Sequence, residues 1–147
     1  MLKSLAHLTL ISFFILFLFN MGHQQVIADI DFIDFGSVRV KTELALTQAE
    51  HSMGLSGRES LAEGDGMFFV FDKPGNYSFW MKDMNFPIDI IWLDQDLKIV
   101  HIKHNASPIY YPELYEPGVP ALYVLEVVSG FAEKNNLKVG DMASFTY

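Results

Sequence analysis

A chain of 147 residues, half of them hydrophobic and 14% aromatic, holds enough apolar material for one domain with a packed core and too little for two. Its formal charge of −8 and the lack of any basic cluster argue against nucleic acid as a partner, because such binding neutralises phosphates with Lys and Arg, and they disfavour an anionic lipid surface. The absence of cysteine excludes disulfides, thiolate metal sites, a cysteine nucleophile and a cysteine-linked lipid.

The N-terminus reads as an address. Lys3 precedes an apolar run from Leu5 to Phe19, and polar residues begin at Asn20. That is the layout of a secretory signal, with Val26-Ile27-Ala28 as a cleavage site after Ala28. The alternative is an uncleaved anchor over residues 5–21, close to the roughly 20 residues that span a bilayer. Under either alternative the positive-inside tendency places the rest of the chain outside the cytoplasm, in the periplasm or an equivalent envelope space. Contact with a membrane is then expected only through this segment. The expected organisation is a signal or anchor over 1–28, a linker over 29–37 and one β-rich domain over 38–147.

In chain order, Val38 to Leu46 alternates apolar and polar residues, as a half-buried strand does. Thr47 with Glu50 forms a capping box opening a short helix over Gln48 to Leu55, which Gly54 to Arg58 ends. Gly64-Asp65-Gly66 reads as a breaker before the apolar strand Met67–Phe71. Pro74-Gly75-Asn76 is a turn signature, predicting a hairpin between that strand and Tyr77–Lys82. Pro87 opens a strand over Ile88–Leu93, which turns through Asp94-Gln95-Asp96 into Leu97–Lys103. Residues 105–120 contain four prolines and read as a long irregular loop. Leu122–Val128 is a strand apolar on both faces, Ser129 is placed to cap a helix over Phe131–Asn135, and Met142–Tyr147 is a last strand. The expected fold is mostly β (α+β): a compact six- to seven-stranded barrel or curled sheet with two short helices.

Gly54-Leu55-Ser56-Gly57-Arg58, Gly66 to Phe71, Phe79-Trp80-Met81-Lys82, Phe86 to Ile91 and Leu125-Glu126, with Gly130 and Gly140-Asp141, follow one another in this order. Together they resemble the domain-of-unknown-function 192 family, also called uncharacterised protein family 0127, over roughly residues 38–147. Ser56 and Asp83-Met84 depart from the family pattern, which often has methionine and Asn-Thr there. The resemblance implies a small β-rich fold and frequent N-terminal export or anchoring. It implies no activity.

Asp89 and Glu126 are each set in an apolar strand, where an unpartnered carboxylate costs several kcal/mol. Lys82 and Arg58, beside the turns that flank those strands, are the candidate partners. Arg58, Trp80, Lys82, Asp89 and Glu126 therefore form the candidate ligand site, a polar cleft for an anionic or amide-bearing ligand held by Lys82 or Arg58. The competing reading is a buried ion pair that fixes strand register. The first functional expectation is an exported envelope domain that binds a small ligand or another envelope protein. The second is a small extracytoplasmic hydrolase or lyase using Asp89 or Glu126 as acid/base. Met53, Met67, Met81 and Met84 with His101 and His104 invite a copper-carrier reading, but strand methionines are ordinary core filling. No metal site or cofactor is expected. No nucleophile elbow, phosphate loop or dinucleotide fingerprint is present in the sequence. The loop Tyr110 to Tyr115 is read as a cover over a cleft, a surface for a partner, or packing over the barrel.

Overall fold

The computed structural model describes residues 30–146, so the expected signal or anchor lies outside the described residues. Seven strands form one sheet: β1 (Phe32–Phe35), β2 (Val38–Ala45), β3 (Asp65–Gly75), β4 (Ile88–Leu93), β5 (Ile99–Ala106), β6 (Ala121–Val128) and β7 (Ser144–Thr146). Their spatial order is β5-β4-β6-β3-β2-β1-β7. Only β2 and β3 run parallel; every other neighbouring pair is antiparallel. The parallel step needs a crossover, and helix α1 (Gln48–Met53) supplies it.

The sheet curls into a half-barrel whose two edges are stitched together just before β7. Ile99 donates to Asp141 O at 2.8 Å, Gly140 donates to Ile99 O at 2.8 Å, and Ala143 donates to Leu97 O at 2.9 Å. The start of β5 is thereby covered by backbone, which removes an exposed edge that would invite pairing with another chain. All six residues of β4 are buried, because the sheet is covered on both faces. This burial accounts for the run of apolar residues on both faces of the strand, broken only at Asp89. One face packs Phe69, Met81, Ile90, Trp92 and Val124 into a single cluster. On the other, Phe68 stacks with Tyr123 and both meet the edge of Phe145.

α1 starts where the capping box places it. Thr47 Oγ1 accepts from Glu50 N at 3.3 Å, while Glu50 Oε2 accepts from Leu46 N and Thr47 N at 2.8 Å each. These bonds hold the Glu50 carboxyl below its usual range. Thr47→Ala is expected to lower stability by about 1 kcal/mol, read as a shifted urea midpoint at unchanged slope.

Several expectations need correction. The residues assigned to a linker over 29–37 include β1, whose alternating Ile33 and Phe35 are buried. Asp65 and Gly66 lie inside β3 rather than in a break. A Cβ at Gly66 would stand 2.8 Å from Glu126 O, so this glycine serves close strand approach. The hairpin between β3 and Tyr77–Lys82 does not form, because both edges of β3 are already taken by β2 and β6. Tyr77–Lys82 instead crosses as an irregular segment bridged to the Pro-Tyr loop, with Phe79 and Tyr115 exchanging backbone bonds of 2.9 and 2.8 Å. Ser129 does not cap helix α2 (Phe131–Lys134); its hydroxyl donates to Asn105 Oδ1. β5 runs on to Ala106, so the irregular loop begins at Ser107.

Candidate functional site

Register decides which charged residues can meet. Glu43, Met67, Glu126 and Ile90 lie side by side along one rung across β2, β3, β6 and β4. Glu126 therefore shares a face with Ile90. Asp89, one residue earlier on β4 and opposite Val127, points to the other face. The two carboxyls expected to converge are separated by the sheet.

On its face, the Asp89 carboxylate is fully buried and satisfied by backbone. Oδ1 accepts from Asn105 N at 2.9 Å and Oδ2 accepts from Ala132 N at 2.9 Å. It ties β4 to the end of β5 and to the first turn of α2. Neither Lys82 nor Arg58 partners it, and the expected role of Asp89 in a ligand cleft is corrected to that of an internal tie.

Glu126 is different. Its side chain is buried on the face roofed by the turn after α1 and by the Tyr77–Phe86 segment, and Oε2 has no hydrogen-bond partner among the described residues. Burial pushes its carboxyl up to about 8, with the positive charge of Arg58 partly offsetting that rise. At neutral pH the group is mostly protonated. Above it lies a cleft of about 30 Å³, room for one small polar group. Phe69, Phe79 and Trp80 give it aromatic walls, Met84 and Met53 add thioethers, and the Gly54–Ser56 turn lines another side.

Gly54 is needed where it stands. Its φ of 51° and ψ of −135° are reserved for glycine, and a Cβ there would sit 3.5 Å from Phe69 Cζ and 3.7 Å from Glu126 Oε2. A side chain at this position would intrude on the cleft. His51 also lines it, but Nε2 lies 2.9 Å from Ala45 O and so carries the proton, donating to that carbonyl. The hydroxyls of Ser52 and Ser56 are likewise committed, donating to Gln48 O and Lys82 O at 2.8 Å.

Of the five residues proposed from sequence, the fold brings Glu126 and Trp80 together in this cleft. Lys82 lies outside it, exposed, with Nζ 5.8 Å from the Trp80 ring centre. Arg58 is held by Glu43, one guanidinium nitrogen donating to both carboxylate oxygens at 2.7 Å. Its influence on Glu126 is through space alone. His51, Gly54 and Phe79 were not among the candidates from sequence, and Met84 was singled out there only for the copper reading. Gly54 and Phe79 carried a visible signal, as members of the blocks that carry the family resemblance. The Pro-Tyr loop also finds its role here. Buried Tyr115 pins Phe79, and Tyr111 packs on Trp80 at 5.9 Å between ring centres, so the loop holds the roof of the cleft.

Of the residues that invited a copper reading, Met53 and Met84 line the cleft, and His101 and His104 do not. Among the described residues there is no group of three or more His, Asp or Glu placed to hold a metal. His101 packs on Trp92 at 5.3 Å, and burial holds its imidazole below the usual range. Also among the described residues, no helix is long and apolar enough to cross a membrane.

The sequence profile of the domain-of-unknown-function 192 family, described as "Uncharacterized ACR", matches residues 32–145. Two solved structures share the fold. A protein of unknown function from Novosphingobium aromaticivorans is 33% identical, with a TM-score of 0.74 over 78% of this chain and 84% of that one. A candidate transcription regulator from Sinorhizobium meliloti 1021 is 26% identical, with a TM-score of 0.72 over 78% of this chain and 90% of that one. No curated protein matches the chain.

Proposed function

This chain belongs to the domain-of-unknown-function 192 family, and we propose that it is an exported envelope domain that binds a small ligand, or a side chain of another envelope protein, in the Glu126 cleft. The observation that carries the reading is the Glu126 carboxyl, buried with Oε2 unpartnered, beside a cleft with aromatic walls. A fold that gives buried Asp89 two backbone donors leaves Glu126 none, and an unmet buried polar group calls for a partner. Convergence of aromatic walls on one polar group is the usual make-up of a ligand site.

Binding is favoured over catalysis by what lines the cleft. A protonated carboxyl would suit a general acid, and that favours the hydrolase or lyase alternative with Glu126 as the acid. However, both nearby hydroxyls and His51 Nε2 donate to backbone carbonyls, which leaves no activated nucleophile beside the acid. The role suggested by the name of the Sinorhizobium protein is not carried over, because a charge of −8 opposes association with phosphates. Export rests on the order Lys3, apolar run, polar flank at the N-terminus. Mass spectrometry of the exported chain is expected to find Asp29 as its first residue, and recovery of intact Met1 in the membrane fraction would assign residues 5–21 as an anchor instead.

The cleft itself is tested by NMR titration of the exported chain with butylammonium, butyramide, butanol and butyrate. Amide shifts centred on Gly54, Leu55, Trp80 and Glu126 are expected for at least one of them. If none of the four moves those resonances at millimolar concentration, the cleft is not a binding site.

A further inference from the structure

Resting on the cleft reading above, we infer that the Glu126 cleft receives a primary ammonium group at the end of a flexible aliphatic stem, the chemistry shared by small alkylamines and a lysine side chain. Four features select a cation over the anionic ligand expected from sequence. First, among the described residues the buried side-chain oxygen left without a partner belongs to an acid, Glu126, which lines the cleft. Second, the walls are aromatic, and the exposed Trp80 ring at the mouth offers a π surface of the kind that attracts cations. Third, neither nearby cation competes. Arg58 is drawn to Glu43, whose two carboxylate oxygens take one of its guanidinium nitrogens, and Lys82 lies outside on the Trp80 ring, where its position already shows that this ring accepts an ammonium. Fourth, the space of about 30 Å³ suits a compact head rather than a planar guanidinium or a branched group. The stem would lie along exposed Met53 and Trp80 at the mouth, where thioether and indole cover a methylene chain.

Occupation is coupled to a proton. An ammonium gains little from a neutral carboxyl, so binding draws Glu126 into its ionised form and releases the proton to solvent. The groups that bear on this titration are few. Arg58, paired with Glu43, acts from the turn after α1, and His51 lies on α1 itself. Lys82 stands on the roof segment, and Lys103 on β5 faces Tyr115. Asp89 is on the far face. With Glu126 near 8, the affinity for an amine that stays charged should rise roughly fifty-fold from pH 6 to pH 8. A lysine-type amine qualifies, since its ordinary pKa is about 10.4.

The experiment is a calorimetric and NMR titration of the exported chain with butylammonium, butyramide and an acetylated, amidated Gly-Lys-Gly peptide at pH 6, 7 and 8. Butylammonium is expected to bind with affinity rising with pH and with uptake of proton by the buffer. It should bind at least tenfold more tightly than butyramide at pH 8. Glu126→Gln, which keeps shape and neutrality, is expected to retain its dispersed NMR spectrum while losing the ammonium preference. Trp80→Ala, at an exposed position, should weaken binding by several-fold. Tighter binding of the peptide than of butylammonium assigns the ammonium to a protein partner; the reverse assigns it to a free amine. If butyramide binds as well as butylammonium, or the affinity is flat with pH, the ammonium inference is overturned while the cleft reading stands. Silence from all three ligands overturns the ammonium inference, and the cleft reading falls with it if butanol and butyrate are silent too.

Discussion

Glu126→Gln is expected to lie within about 1 kcal/mol of the parent chain in stability at pH 5 and to exceed it clearly at pH 9. The sign follows from the direction of the shift. An acid whose folded value lies above its unfolded one binds more protons in the folded state across the interval between them. Its neutral form favours folding below the unfolded value, and that contribution is lost as pH rises through the folded value. For Glu126 the interval runs from the ordinary 4.5 to about 8. At about 1.4 kcal/mol per unit, the difference between variant and parent should grow by a few kcal/mol over this range. Glutamine holds the same volume without a charge to ionise, so the variant should show no such loss. Comparing urea midpoints of the two chains at pH 5, 7 and 9 isolates this one group, because every other titrating residue is common to both. Parallel curves would mean that Glu126 is solvated or paired in solution, and the cleft would lose its central observation.

Why Glu126 could be picked out from sequence, and Asp89 misassigned, has a single physical cause. Both read as a carboxylate inside an apolar strand. Sequence can reveal that a buried charge must be compensated, but not whether the compensation is a side chain or a backbone amide. The donors to Asp89 come from Asn105 and Ala132, 16 and 43 residues away, and every residue except proline carries an amide N–H, so no motif marks them. The pairing of Ile90 with Glu126, which places the two acids on opposite faces, is a matter of register between β4 and β6. Two uniformly apolar strands give no alternation from which that register can be read.

The strands themselves were legible where burial leaves a pattern. Alternation marked β2, apolar runs each interrupted by a single acid marked β4 and β6, and the capping box marked α1. The roof was not legible. Tyr77 to Lys82 has the composition of a strand, and only the occupation of both edges of β3 prevents it from becoming one. The family resemblance pointed to Phe79-Trp80-Met81-Lys82 without saying what these residues do. In the fold, Phe79 and Trp80 wall the cleft, buried Met81 anchors the segment in the core, and Lys82 lies over the outer ring. The segment holds its aromatic side chains over the cleft through one bridge to Tyr115 rather than through a strand pairing.

Asp89→Ala is expected to cost on the order of 3–5 kcal/mol of stability while leaving the chemistry of the Glu126 cleft untouched. Truncation removes the acceptor of the buried Ala132 N–H and of the part-buried Asn105 N–H, at about 1–3 kcal/mol for a stranded group. It also empties the volume of a carboxylate in a fully sealed site. Against a total stability of about 5–15 kcal/mol for a domain of this kind, such a loss brings the chain close to unfolding at moderate temperature. Asp89→Asn keeps the shape but offers one acceptor to two donors and turns its own amide toward an N–H. It should lie between the parent and Asp89→Ala, which gives a folded variant for the ligand titrations. Urea midpoints rank the three chains. If Asp89 acted through the cleft, Asp89→Asn would change butylammonium affinity at pH 8 as strongly as it changes stability. With the sheet between the two acids, the affinity should stay within twofold of the parent, because the tie from β4 to α2 positions nothing on the face where Glu126 waits for a partner.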